Sequence, residues 1–284
     1  MDCFLQEMRS RRSFFKYLLA CGCGCLAPRL VSASSWNPQD EAKAAAKNSL
    51  ADHALLLEEF QKFNAGALQY MTQAYGSDVA CSISGQAGKE FEALLPLIPD
   101  LGGARNIVIG DFPVAMWCVG YFRPMKAHGK TAEQLGKMIY DLFEAKLRLL
   151  PETASLSEGA KQFTPEHIVK LKEWAQWTQK RDYPASWVAV FAQGDGVDFD
   201  YGYDYSECAI VKYLKAHGAD EVAPYICLND FIKSRTYGTG LSRTKTLALG
   251  YDVCNFRYRK GRPVNQDWST EISIIKQSAK ARSL

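Results

Sequence analysis

From about residue 37 the apolar positions recur at helical intervals. Asn37-Pro38-Gln39-Asp40 offers a cap and a proline at the first helical position, and an Ala/Leu/Lys/Glu-rich run continues to about Tyr75. Leu55, Leu56, Phe60 and Phe63 fall on one face, predicting an amphipathic helix or a pair of them. The polar stretch from Gly76 to Gly85 predicts a break. A further helix is expected from Gly88 to Leu97, stopped by Pro99 and Gly102-Gly103. Residues 110–127 and 131–149 read as two more, split by His128-Gly129 with Thr131 as cap. A polar loop through Pro151 then leads to a helix from about Pro165 to Arg181, capped by Thr164.

The pattern changes at Tyr183-Pro184. Ser186 to Ala192 is an apolar run, Gly194-Asp195-Gly196 supplies a turn, and Val197 to Tyr205 alternates, so a hairpin is expected. The Tyr/Phe stripe over 199–205 reads as core-facing. A helix from Glu207 to His217 ends at Gly218, and a second runs from about Asp220 to Lys233. Thr244–Leu249 and Val253–Arg259 predict another hairpin around Gly250-Tyr251-Asp252. The expected fold class is α+β: a helical N-terminal half, then an antiparallel sheet of two hairpins with two helices between them. The expected division is a leader over 1–33, a helical region over 34–104, an α+β domain over 105–262 and a C-terminal tail over 263–284.

The leader changes how the charge is read. Ser10-Arg11-Arg12-Ser13-Phe14-Phe15-Lys16 precedes a short apolar stretch from Tyr17 to Leu26 and a small-residue exit at Val31-Ser32-Ala33. This is the order of a cleavable signal, and the paired arginines narrow it to the twin-arginine route, with the twin-arginine translocase as partner and the periplasm as destination. Leu18-Leu19-Ala20-Cys21 also resembles a lipoprotein box, which would anchor the chain through Cys21. The apolar stretch is far short of the roughly 20 residues that span a bilayer, so no stable membrane span is expected. The chain carries 34 basic and 31 acidic residues. Residues 1–33 hold five of the basic and two of the acidic ones, so the remainder is formally neutral and gives no argument for a nucleic-acid partner.

Four of the nine cysteines lie in the leader, leaving Cys81, Cys118, Cys208, Cys227 and Cys254. Cys118 stands in an apolar run and is expected in the core. The last three cluster among polar residues, as Glu207-Cys208, Cys227-x-x-Asp230, Arg243-Thr244-x-Thr246 and Cys254-Asn255-Phe256-Arg257. Each also has a plainer reading: Glu207 as a first-turn acid, Asp230 as a cap or a partner of Lys233, Cys227 as core, Arg243 as a surface charge. His53, His128, His167 and His217 show no partner spacing, so no Ser/His/Asp arrangement is visible, and Gly194-x-Gly196 lacks the setting of a phosphate loop.

Tyr205-Ser206-Glu207-Cys208, the Cys227…Asp230 pair, Gly238, Arg243 with Thr246, and Gly250…Cys254-x-Phe256-Arg257 together resemble the L-2-amino-thiazoline-4-carboxylic acid hydrolase family, over about Asn106 to Arg262. The resemblance implies hydrolytic opening of a small cyclic amidine-like ring bearing a carboxylate, giving a carbamoyl-amino acid. One departure is Asn255, where the family often has Asp. Leu247–Tyr258 is also similar to the closing hairpin of 4-vinyl-reductase-like domains, whose alternative reading is non-catalytic binding of a small molecule or metal.

Opening an amidine ring needs an activated water or thiolate, a proton donor and a cation for the carboxylate. Cys208 or Cys254 could be the thiolate, Glu207 or Asp230 the acid or base, and Arg243 or Arg257 the carboxylate clamp, with Thr246 and Asn255 beside the substrate. In a second scheme Cys208, Cys227 and Cys254 hold a soft metal such as zinc. In a third, two of them form a disulfide.

Overall fold

The computed structural model describes residues 49–282. The leader, with its twin-arginine run and Cys21, and the cap at Asn37-Pro38 lie outside them. Helix α1 (His53–Tyr75) starts where the Asp52 carboxylate accepts the Leu55 amide, and buries Leu56, Phe60, Ala67 and Met71. It stops at Gly76, whose φ of 87° suits glycine. The expected break extends no further, because α2 (Ser77–Leu94) begins at the next residue. The Ser/Gly/Ala stretch is not a loop: small Ala80, Ser84 and Ala87 let neighbouring helices approach, and Phe91 stacks on Phe60 at 4.1 Å.

Helices α3 (Pro113–Ala127) and α4 (Ala132–Arg148) match their expected spans, α4 through a Thr131–Gln134 capping box. The expected loop after Pro151 is instead helix α5 (Glu152–Lys161). Its apolar face is too small to show as periodicity: it buries only Ser155 and Gly159. A Cβ on Gly159 would stand 1.7 Å from the Tyr237 carbonyl oxygen, so backbone contact holds this helix. Helix α6 (Pro165–Thr178) starts at the Thr164 cap.

The α+β expectation holds. Strands β1 (Val188–Gln193), β2 (Tyr201–Glu207), β3 (Leu241–Ser242) and β4 (Cys254–Tyr258) form one antiparallel sheet in the order β1-β2-β4-β3. The first hairpin is present as β1–β2. The second is not: β4 pairs with β2 and with the two-residue β3, and Leu247–Leu249 is a 3-10 turn. The reason is local. Asn255 Oδ1 takes the amides of Thr244 and Lys245, at 3.0 and 2.7 Å, so those amides make no ladder.

Between the strands lie α7 (Ala209–Ala216), α8 (Ala223–Ile226) and α9 (Asn229–Tyr237). The single helix expected from Asp220 to Lys233 is therefore broken, and Cys227-Leu228 sits at the break. Gly238, at φ 65°, ends α9. The expected tail contains helix α10 (Trp268–Arg282), docked where Trp268 meets Tyr225 and Tyr140.

One face of the sheet points inward and the other meets solvent, the usual state of an antiparallel sheet. Tyr201, Tyr203 and Tyr205 pair with Tyr258, Phe256 and Cys254 on the inner face, under Trp174 of α6. Gly202 and Asp204 pair with Arg257 and Asn255 on the outer face, next to Val190, which is 54% exposed. The buried core runs from Leu50 to Ile275. Among the described residues no helix is long and apolar enough to cross a membrane.

Candidate functional site

The inner face of β2 and β4, the start of α7, the Cys227-Leu228 break, the first turns of α9 and the segment after β3 converge on one recess. Arg243 follows β3 inward and is buried, its side chain only 2% exposed. Its guanidinium carbon lies 4.9 Å from the ring centroid of Phe231 and 4.9 Å from that of Phe256. It donates to Asp230 Oδ2 and, at 2.8 Å, to the Cys227 carbonyl, while its Nε has no partner. Asp230 thus holds Arg243 rather than Lys233, which pairs with Asp111 at 2.9 Å.

Asp230 keeps 39% of its side chain open. Burial nevertheless raises its pKa, opposed by Arg243 and assisted by the nearby Asp111 carboxylate. A carboxylate that is both open and desolvated lines a recess rather than the outer surface. The same combination marks Tyr203, Cys208 and Cys227, which are half-buried, yet burial raises the pKa of each. Tyr203 and Tyr258 bring their hydroxyls to 3.0 Å, and both phenols are pushed well above their ordinary value by burial. One mutual bond uses one of their two hydrogens.

Cys208, Cys227 and Cys254 are all free thiols, which removes the disulfide reading. Burial pushes each up to about 12, so each is protonated at neutral pH. The amides of Val211 and Ile210, at the start of α7, pull Cys208 the other way. Cys254 Sγ accepts the Leu247 amide at 3.1 Å. Each sulfur feels another, Cys208 with Cys227, Cys227 with Cys254, and Cys254 with Cys208. They do not approach as ligands: among the described residues no three His, Cys, Asp or Glu side chains stand close enough to hold a metal ion. The zinc scheme through Cys208, Cys227 and Cys254 gains no support from this placement.

Other expected site residues are occupied elsewhere. Arg257 is on the outer face, three residues from Cys254 and so on the opposite side of the strand, where it grips both oxygens of Asp204 at 2.7 and 3.2 Å. Asn255 shares that outer face and spends its amide on the 244–245 loop. Glu207 ends β2 instead of opening a helix. Its carboxylate binds Lys212 and, at 3.0 Å, Arg181, and Lys212 first, with Arg181, holds its pKa below the ordinary value. Thr246 is buried and caps the Leu249 amide at 3.2 Å. The residues brought together here are therefore Asp230, Arg243 and the three thiols, with Tyr203, Tyr258, Asp111 and Lys233 beside them. Period-two spacing from Cys254 points to Tyr258; nothing local points to Asp111. A separate open cleft of about 520 Å³, lined by Phe163, Tyr201, Asp200 and Lys260, lies at the far end of β2 and contains no thiol.

A mixed helix-and-sheet domain whose acid, cation and thiols meet in a desolvated recess has the make-up of a small-molecule site. Residues 115–258 match the model of the L-2-amino-thiazoline-4-carboxylic acid hydrolase family, and the chain belongs to that family. The match contains every recess residue named above except Asp111. No curated protein and no solved structure matches the chain.

Proposed function

We propose that this protein hydrolyses a small cyclic amidine bearing a carboxylate, of the amino-thiazoline-carboxylate type. Water adds to the amidine carbon, one ring C–N or C–S bond breaks, the departing ring atom takes a proton, and the product carries a carbamoyl group. The observation that carries this reading is Asp230: a carboxylate with one oxygen bound to buried Arg243, one oxygen free, and an open side facing the recess. Its raised pKa suits a group that accepts a proton from water and returns it to the leaving atom. Aromatic faces of Tyr203 and Phe256, stacked at 5.0 Å, favour a planar cationic ring beside it.

The protonated thiols support water rather than sulfur as the attacking group. Each sulfur has an opposing pull toward thiolate, the α7 amides at Cys208, the Leu247 amide at Cys254 and Arg243 at Cys227 and Cys254, and burial outweighs it in every case. Turnover of 2-amino-2-thiazoline-4-carboxylate separates these routes. Loss in Asp230→Asn with activity kept in Cys208→Ser supports the water route, and the reverse supports a covalent isothiourea-type intermediate on Cys208, released by water as the carbamoyl product. Ligand binding with no turnover in the unaltered protein would favour the non-catalytic binding domain. Export through the twin-arginine translocase to the periplasm is part of the same proposal, supported by Ser10–Lys16 and the small-residue exit at Ala33. Replacing Arg11-Arg12 with Lys-Lys and fractionating the cells tests it, and unchanged export would overturn it.

A further inference from the structure

A carboxylated substrate needs a cation, and most cations near the recess are already engaged with protein groups. Arg243 is enclosed by two rings and bound to Asp230 and the Cys227 carbonyl. Arg257 faces the other side of the sheet and holds Asp204 with both ends. Lys212 is bound to Glu207, the Pro184 carbonyl at 2.7 Å and the Ser186 carbonyl at 2.9 Å, which accounts for its three hydrogens. Lys233 differs from all of these. It is 47% exposed, and its ammonium makes a single 2.9 Å bond, to Asp111. It stands three residues beyond Asp230 on α9, so the two side chains are neighbours on one helix face.

We infer that Lys233 reads the ring carboxylate of the substrate at the rim of the recess, while Asp230 faces the amidine carbon deeper in. This rests on the hydrolase reading for the identity of the ligand. One turn of helix, about 5.4 Å, is comparable to the span between the exocyclic amino and carboxylate groups of a five-membered ring, so the pair complements a compact zwitterion and discriminates against rings with the amidine alone. Asp111 is the positioning residue: it lies in the Ile109–Asp111 turn, ahead of the family-matched segment, and fixes the ammonium without consuming its other two hydrogens.

Two ligand pairs test this on the full chain. Turnover compares 2-amino-2-thiazoline-4-carboxylate with 2-amino-2-thiazoline. Calorimetric binding compares thiazolidine-4-carboxylate with thiazolidine, which have no amidine carbon for water to attack. In the unaltered protein the carboxylated member of each pair is preferred by about tenfold or more, as a charge-assisted contact requires. Lys233→Met erases the preference in both assays and raises KM more than it lowers kcat, and Lys233→Arg restores most of it. A preference that survives Lys233→Met, or is absent from the unaltered protein, overturns the inference. A preference in binding, lost in Lys233→Met, with no turnover of either amidine, keeps Lys233 as the carboxylate reader and overturns the hydrolase instead.

Discussion

Arg243 and Asp230 form an ion pair in which the cation is enclosed and the anion faces an opening. The guanidinium carbon is 4.9 Å from the ring centroids of both Phe231 and Phe256, so the pair has little freedom to part. Asp230 is thereby aimed, and Arg243 acts as its support rather than as a clamp for substrate.

Removing that support should be costly. Arg243→Met leaves a desolvated carboxylate with no cation and is expected to destabilise the fold by about 2–4 kcal/mol, the lower part of the range for broken buried pairs because Asp230 keeps contact with solvent. Asp230→Asn keeps an acceptor for the guanidinium and removes a desolvated charge, so near neutral pH it should cost less, under about 1 kcal/mol. Urea unfolding followed by circular dichroism measures both. A change within about 0.5 kcal/mol for Arg243→Met would show that the pair adds nothing.

The pH dependence follows from two acids shifted in opposite directions. Burial raises Asp230, so if its carboxylate is the base, the acid limb of kcat/KM lies above the ordinary carboxylate range. Asp111→Asn removes one of the raising influences and should move that limb down. Asp230 is raised in the folded state, so its contribution to stability is full below its unfolded pKa and is lost as pH rises through the folded value. Glu207 is lowered by Lys212 and Arg181, so its contribution is present above its unfolded pKa and is lost as pH falls through the folded value. Stability curves of Asp230→Asn and Glu207→Gln should flatten on those respective sides.

Thiol reactivity tests the state of the cysteines. With pKa values near 12, Cys208, Cys227 and Cys254 hold about a thousandfold less thiolate at neutral pH than a free cysteine. Alkylation of the native protein should be slow at all three positions and rapid in urea, followed by peptide mass analysis. Fast native labelling at Cys208 alone would favour the covalent route.

Gly159 offers a test of how α9 is seated. Gly159→Ala drives a methyl into the Tyr237 carbonyl and should destabilise by about 1–3 kcal/mol while weakening ligand binding, since α9 carries both Asp230 and Lys233. Gly88→Ala is the control: its Cβ meets nothing within 4 Å in the middle of α2, and it should stabilise by about 0.5–1 kcal/mol. Equal melting temperatures for the two variants would count against the packing described here.

What the sequence alone determined was whatever its local chemistry specifies within a turn or two. Caps at Thr131 and Thr164 with amphipathic runs behind them set α4 and α6, and alternation around Gly194-Asp195-Gly196 set the first hairpin. The family signature in 205–257 was equally legible, whereas the opposite facing of Cys254 and Arg257 was missed although the period-two alternation of a strand implies it. Helix α5 stayed hidden because its contact is backbone on backbone at Gly159, which leaves no apolar stripe to read. The second hairpin failed because the Asn255 side chain, rather than a neighbouring strand, takes the amides of 244 and 245. Only the tertiary structure decided the partners of the charges. Asp230 could have bonded Lys233 one turn away, but desolvation favours the planar guanidinium of Arg243 beside Phe231 and Phe256, and Lys233 turns to Asp111, 122 residues earlier in the chain. Ion pairing in a recess is set by which groups the fold strips of water together, and sequence distance carries no record of that.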